Sequence, residues 1–387
     1  MILVEFLNDH PLENTASALI LRPDILYYLG DNSEKLAQCS SLYGPVFRTA
    51  GISVEIRTRR FDFGRMREEL EHLQADLQSA APDEEIYVDV LGGSEAALIA
   101  CGRLLEKPGT ENHVSLKLIY PDLLHRKILD AVAGDELETG ASLPPAELTV
   151  DNFVRLFDGI TLCPDQTVSE IFEDADTRRA IIKIWETARR IKTRVWQDYT
   201  LGTATDRNMR RMRNFLDQSG ADRETIESDA FDRNVLPNIL GKSGNLLEMY
   251  TASMVYETME KVGIPHRVWQ SVTLDWNGLP VNQEPDPSAN VYNEVDVMTF
   301  AGYRPVFISC KLGVFGRDEL FMLNSVTKRF GGKYARMAVI KSGLITSDPQ
   351  GRELVQRAES MGITIIQDVK NMSIETFGEL LFRMIYL

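Results

Sequence analysis

The sequence of 387 residues predicts an α/β protein in which two sheet-forming parts flank a helical segment. Three observations lead there. Short apolar runs alternate with amphipathic, helix-length stretches over about the first 120 residues. A cationic helical pattern follows between Asp176 and Tyr199. The final third returns to strands and helices around a hairpin running from Tyr292 to Cys310.

In the first part the strand candidates are Ile2–Leu7, Ile25–Leu29, Ile52–Arg57, Ile86–Val90 and Leu116–Tyr120. Helical patterns lie between them, clearest at Asp62–Gln78 and Ser94–Leu105. Strands separated by helices form parallel βαβ units, so a Rossmann-like sheet covered on both faces is expected. Ligands of such sheets sit beyond the carboxyl ends of the strands. Two loops reach that edge: Asn8-Asp9-His10-Pro11-Leu12-Glu13-Asn14 and Leu91-Gly92-Gly93-Ser94-Glu95. Paired glycines let backbone N–H groups approach an anion, and Ser94 can cap the helix that follows. Each loop also reads simply as a turn, with Asn14 or Ser94 as a helix cap and nothing bound.

Residues 130–150, with Gly134, Gly140, Pro144 and Pro145, read as a connection with room for a short strand. The formal net charge of −15 excludes a generally basic surface for nucleic acid. The distribution is uneven. Residues 1–150 carry 13 Lys and Arg against 25 Asp and Glu, whereas residues 176–214 carry 11 against 4, so a polyanion has to be met locally. Arg178, Arg179, Lys183, Arg189, Arg190, Lys192 and Arg194, then Arg207, Arg210, Arg211 and Arg213, form either a solvated face or a phosphate-contacting wall. Cys39, Cys101, Cys163 and Cys310 are scattered, which fits a reducing cytoplasm and excludes a zinc ribbon. No apolar run reaches the roughly 20 residues of a membrane span, and Met1–Leu7 reads as a strand, not a signal peptide.

After Gly241-Lys242-Ser243-Gly244-Asn245, a helix is expected over Leu246–Val262 with Glu248 in its first turn. A strand Arg267–Leu274 precedes the hairpin, whose reversal is Ala301-Gly302-Tyr303-Arg304-Pro305. Alternation puts Glu294 and Asp296 on one face of the first arm, and Ser309 and Lys311 on one face of the second. A lysine buried beside carboxylates is costly unless they pair or a metal ion joins them. Beyond it come Asp318–Phe330 (helix), Tyr334–Ile340 (strand), Arg352–Met361 (helix), Ile363–Gln367 (strand) and Ile374–Tyr386 (helix).

This order of helix with Glu248, hairpin with Asp296, and strand with Ser309 and Lys311 resembles the PD-(D/E)xK restriction-endonuclease-like fold. The resemblance implies Asp296 as a metal ligand, Lys311 as the motif lysine, Glu248 as the helix carboxylate and the Cys310 carbonyl as a further ligand of Mg²⁺ or Mn²⁺. Ser309 stands where the motif has Glu or Asp, so Glu248 or Glu294 has to supply the missing carboxylate; Glu319 is a weaker candidate. With the front half included, the chain resembles the CRISPR ancillary nucleases that join a CARF (CRISPR-associated Rossmann fold) sensor to such a nuclease domain. Residues 1–150 then correspond to the sensor, 151–236 to a helical connector and 237–387 to the nuclease. The family resemblance implies a homodimer that binds a cyclic oligoadenylate, foremost cyclic tetra-adenylate, through Asn8, Asp9, His10, Asn14 and the Leu91–Glu95 loop, and then cleaves DNA or RNA. Members often carry a lysine where this loop has Glu95. A sensing regulator with an inactive nuclease-like domain, and an ungated restriction or repair nuclease, are the alternatives.

Overall fold

The computed structural model describes residues 1–80, 84–93, 116–138, 143–162, 170–188, 243–276 and 292–386, together with Glu95, Ile99, Cys101, Gly102, Arg207 and Gly278. It is an α/β protein of two compact units, Met1–Ile160 and Thr161–Leu387. Most of the expected Ser94–Leu105 helix and the cationic stretch after Ala188, Arg207 apart, lie outside the described residues.

In the first unit the order is β1 (Ile2–Phe6), α1 (Ala16–Leu21), β2 (Ile25–Gly30), α2 (Ser33–Thr49), β3 (Glu55–Arg60), α3 (Met66–Ala80), β4 (Ile86–Asp89), β5 (Leu116–Asp122), β6 (Lys127–Asp130) and α4 (Val150–Arg155). The sheet runs β3-β2-β1-β4-β5-β6, parallel except for β6. The chain winds outward from β1 to β3, then crosses back to β4 on the other side of β1. That reversal between β1 and β4 is a topological switch point, the place where open α/β sheets generally bind ligands. Ile2, Val4 and Phe6 of β1 pack with Leu29, Phe61, Leu70, Leu73, Leu77, Ile86 and Val88 in one core cluster.

The third strand begins later than the expected Ile52–Arg57. Ile52 is buried, but its N–H donates to the Phe47 carbonyl at 2.8 Å, so it plugs the turn after α2 and does not enter the sheet. The strand that follows, Glu-Ile-Arg-Thr-Arg-Arg, is charged because it is the sheet edge, where lysine, arginine and glutamate discourage pairing with other chains.

The second sheet runs β12-β11-β10-β9-β8-β7. Its strands are β7 (Ile160–Leu162), β8 (His266–Asp275), β9 (Tyr292–Ala301), β10 (Arg304–Lys311), β11 (Arg336–Lys341) and β12 (Ile363–Ile366). The helices are α5 (Ala175–Ala188), α6 (Ser243–Lys261), α7 (Arg317–Gly331), α8 (Pro349–Ser360) and α9 (Ile374–Tyr386). The hairpin is tighter than expected: Arg304 pairs with Ala301, leaving only Gly302 and Tyr303 in the turn, with Gly302 at φ 65°. From β10 onward the strands are parallel, β10 to β11 to β12, with α7 and α8 as the crossovers.

Helix α6 is buried on most of its circumference, from Leu246 and Leu247 through Met259. Tyr250 explains how: its ring stacks at 5.0 Å on Trp185 of α5 and at 5.3 Å on Phe377 of α9. Arg178 departs from the expected cationic face. It is 2% exposed, donates to Glu257 at 2.6 Å, Glu260 at 2.7 Å and the Phe172 and Glu173 carbonyls, and lies over the Tyr256 ring. An arginine so saturated braces α5 against α6 and cannot contact phosphate.

Ile308 is fully buried at the centre of β10. Ile308→Ala is expected to lower the unfolding free energy by about 2–5 kcal/mol in urea titration. A loss below about 1 kcal/mol would mean that the core around the hairpin is loosely packed.

Candidate functional site

At the switch point of the first unit lie the two loops singled out in the sequence. Asn8 and Asn14 clasp one loop shut: the Asn8 N–H donates to Asn14 Oδ1 at 3.0 Å, and Asn14 Nδ2 donates to the Asn8 carbonyl and the Tyr43 hydroxyl, both at 2.9 Å. Asn14 is fully buried and braces the loop. It does not cap α1, whose N-cap is Thr15. Asn8 Nδ2 donates to Glu13 at 2.7 Å, and Asn8 Oδ1 accepts from the His10 N–H at 2.7 Å. Asp9 and His10 are exposed, with Asp9 paired to Lys35.

The second loop presses against the first. A Cβ at Gly92 would meet the Phe6 carbonyl at 2.3 Å and Asn8 Nδ2 at 2.7 Å, so glycine is required there. The Leu91 N–H is held by Asp89 Oδ1 at 2.7 Å and the Gly93 N–H by the Val90 carbonyl at 3.4 Å. The Gly92 N–H has no partner among the described residues. Ser94 lies outside them, and Glu95 is exposed.

Sequence reasoning missed what lies beneath. Glu5, Glu13 and Asp89 are each almost fully buried, and Glu5 and Asp89 are register partners on β1 and β4. Burial is the main force pushing the Asp89 carboxyl up to about 7, opposed by hydrogen bonds from Ser17 Oγ (2.5 Å) and the Leu91 N–H. Burial likewise raises Glu5 well above the carboxylate range, reinforced by Asp89 and Glu13. The available signal was the strand pattern itself: a Glu and an Asp on inward positions of apolar strands.

In the second unit the hairpin delivers a polar cluster at the end of β10. Backbone pairing of β9 with β10 stops at Val297↔Ile308, and the Cys310 N–H donates to Asp296 Oδ2 at 2.6 Å. Ser309 Oγ donates to the same oxygen at 3.0 Å, and Lys311 Nζ lies 3.7 Å from it. On the other side, β8 skips the position opposite Asp296, where Ser271 takes the left-handed φ of 55°. Lys311 also reaches Glu319 at 3.1 Å, so Glu319, the weaker candidate in the sequence, joins the cluster. Burial works against the Lys311 ammonium, but Asp296 and Glu319 outweigh it and hold its pKa above the usual value.

Glu248 of α6 accepts a 3.1 Å hydrogen bond from Gln270 of β8. Burial, then the charge of Asp296, pushes its carboxyl up to about 7, with Glu294 adding to the effect. Glu294 itself is exposed and has no ion-pair partner among the described residues. The Cys310 thiol is buried beside Thr251 Oγ1 at 3.6 Å, and burial raises it far above its usual pKa, so it is not a nucleophile.

No group of three or more His, Cys, Asp or Glu side chains is gathered for metal binding among the described residues. The donor set is nevertheless suited to a hard cation held by few protein ligands. Asp296 Oδ1 and Glu248 Oε1 accept no hydrogen bond among the described residues, and burial, then the Asp296 charge, raises the Glu248 carboxyl. Mg²⁺ keeps several waters and commonly takes one or two carboxylates plus substrate phosphate.

The raised Glu248 carboxyl has a measurable consequence. Between the ordinary carboxylate range and about pH 7 the folded protein binds a proton that the unfolded chain does not, so this group makes stability fall as pH rises through that window. Glu248→Gln removes that penalty. Urea denaturation between about pH 5 and pH 8 should show the variant gaining on the parent as pH rises. Parallel curves would place the Glu248 carboxyl in the ordinary range.

No protein-family model matches the chain, and no curated protein matches it by sequence. Solved structures do match it in fold. Protein VC1899 from Vibrio cholerae superposes with a TM-score of 0.68 at 13% identity, over 99% of this chain and 97% of that one. Can2 from Sulfobacillus thermosulfidooxidans, solved in complex with cyclic tetra-adenylate, gives 0.59 at 14% identity, over 100% and 99%. The fold is thus shared with Can2, whose solved structure holds cyclic tetra-adenylate.

Proposed function

We propose that this chain is a cyclic-oligoadenylate-activated, divalent-metal-dependent nuclease of type III CRISPR antiviral defence, acting in the cytoplasm as a homodimer. Residues 1–150 would form the CARF sensor, 151–236 the connector and 237–387 the nuclease domain. The observation that carries the reading is the convergence of Glu248, Asp296 and Lys311 at the end of one hairpin. The full-length likeness to Can2, a protein solved with cyclic tetra-adenylate, supports the same reading.

In the sensor, the Gly92 N–H and the Asn8–His10 loop would contact the ring's phosphate and sugar, since an acidic unit can hold an anion only through oriented backbone dipoles. In the nuclease, Glu248, Asp296 and the Cys310 carbonyl would hold Mg²⁺ or Mn²⁺, which neutralises phosphate charge and acidifies water. Lys311, kept protonated by Asp296 and Glu319, would stabilise charge developing on the scissile phosphate of DNA or RNA. Ser309 would position Asp296 and need not ligate anything. The shortage of a third carboxylate favours one competing reading, a sensing regulator with an inactive nuclease-like domain.

The test is cleavage of single-stranded DNA, supercoiled plasmid and RNA with Mn²⁺, with and without cyclic tetra-adenylate. Cleavage is expected only with the ring, and Lys311→Ala or Asp296→Ala should reduce it roughly 100-fold or more. Ring-independent cleavage would remove the gating, and silence on every substrate despite ring binding would favour the regulator. Gly92→Ala should weaken ring binding in calorimetry by forcing the two sensor loops apart; unchanged affinity would put the ring elsewhere.

A further inference from the structure

A cleft of about 420 Å³ opens beside the polar cluster of the second unit. It is bounded by the Val314–Arg317 segment after β10, Lys341 at the end of β11, the Leu344–Thr346 loop and the first turn of α8. Lys341 is the register partner of Lys311 on the adjacent parallel strand, so both lysines emerge from the same face at the carboxyl edge of the sheet.

The two lysines differ in company. Lys311 has two carboxylates within ion-pair distance. Lys341 is only 7% exposed, yet its sole partner among the described residues is the Leu312 carbonyl, at 3.1 Å. Lys370 lies behind Gly343 and adds positive charge: burial first, then Lys370, holds the Lys341 ammonium below its usual pKa. The one carboxylate lining the cleft, Glu353, is taken by Arg317 at 2.7 Å and Arg357 at 2.9 Å. Helix α7 begins at the cleft with Gly316 as N-cap and no side-chain capping bond, whereas α8 is capped by Asp348 at 2.7 Å. A nearly buried cation whose one partner among the described residues is a neutral carbonyl is an arrangement completed by an incoming anion, although Asp318 and Glu319 already stand in the first turn of α7. The remaining walls are apolar: Phe315 lines the cleft, and Val314 and Leu344 stand at its rim, 101% and 67% exposed.

We propose that this cleft binds one nucleotide of a single-stranded nucleic acid, its phosphate on Lys341 and the start of α7, its base against Phe315, Val314 and Leu344. This rests on the nuclease reading of the neighbouring cluster and adds the subsite that fixes the strand beside it. Neighbouring strands lie about 4.8 Å apart, so a phosphate on Lys341 sits within about one nucleotide of a phosphate at Lys311. Lysine serves there as a point charge for phosphate, and an aromatic or apolar wall accepts any base by its face.

The probe is thymidine bisphosphate, phosphorylated on both sugar hydroxyls, titrated into the full chain in chelator so that neither metal nor turnover contributes. Calorimetry should show binding that weakens roughly tenfold or more in Lys341→Met, which removes the phosphate's cation, and in Leu344→Glu, an exposed position where the change removes the base's apolar wall and adds negative charge to the cleft. Thermal melting of both variants establishes that they fold. Affinity equal to the parent's in both folded variants, or no binding to the parent at millimolar probe, would overturn the subsite. Failure of the nuclease reading looks different: the probe would bind with Lys341 dependence while no nucleic acid is cut with Mn²⁺ and the ring.

Discussion

The chemistry of the second unit depends on a single carboxylate oxygen, Asp296 Oδ2. It accepts from the Cys310 N–H and Ser309 Oγ and faces Lys311 Nζ, three donors that a regular hairpin would have spent otherwise. A regular ladder cannot supply this. The β9–β10 pairing ends one residue before Asp296, and β8 omits the opposite position by putting Ser271 into a left-handed conformation. A serine at positive φ costs of order 1–3 kcal/mol and persists only where its surroundings over-determine it. Here the surroundings are two broken ladders bracketing one aspartate, so backbone regularity is exchanged for a fixed carboxylate.

A second constraint, buried negative charge, recurs in both units. In the first, Glu5, Glu13 and Asp89 lie buried at the β1–β4 switch point; in the second, Glu248 lies near Asp296. In each case burial raises a carboxyl well above the ordinary carboxylate range. The consequences differ with what surrounds the groups. Asp89 turns its oxygens inward to Ser17 and the Leu91 N–H, which shapes the glycine loop. Glu248 keeps one oxygen without a hydrogen bond among the described residues, and its only such partner is Gln270 of β8.

The architecture was legible because its signals are local. Apolar alternation marked the arms of the hairpin, and the reversal at Gly302 is written in glycine chemistry. Errors arose where an apolar residue served something other than its strand: Ile52 plugs a turn and shifts β3 by three residues. Members of the polar cluster were legible when a spacing named them, as with Asp296, Ser309 and Lys311. Residues that matter through tertiary placement were not. Gln270, Glu319, Lys341 and the Glu5–Asp89 pair look like ordinary strand and helix residues until the sheet order sets them beside the hairpin or at the switch point. Arg178 was misjudged in the opposite sense, since nothing in a run of cations announces which one turns inward to Glu257 and Glu260.

The acidic composition and the proposed nucleic-acid substrate are compatible for a physical reason. With a net charge of −15, long-range attraction cannot recruit a polyanion, and surface charge is screened within about 8–10 Å at physiological salt. Binding must then come from cations that are desolvated and fixed, where screening is weak. Lys311 and Lys341 meet that requirement at one sheet edge, the first neutralised by carboxylates and suited to reacting charge, the second lacking any carboxylate partner among the described residues and suited to holding a phosphate. Two identical side chains on adjacent strands thus divide chemistry from grip according to their neighbours alone.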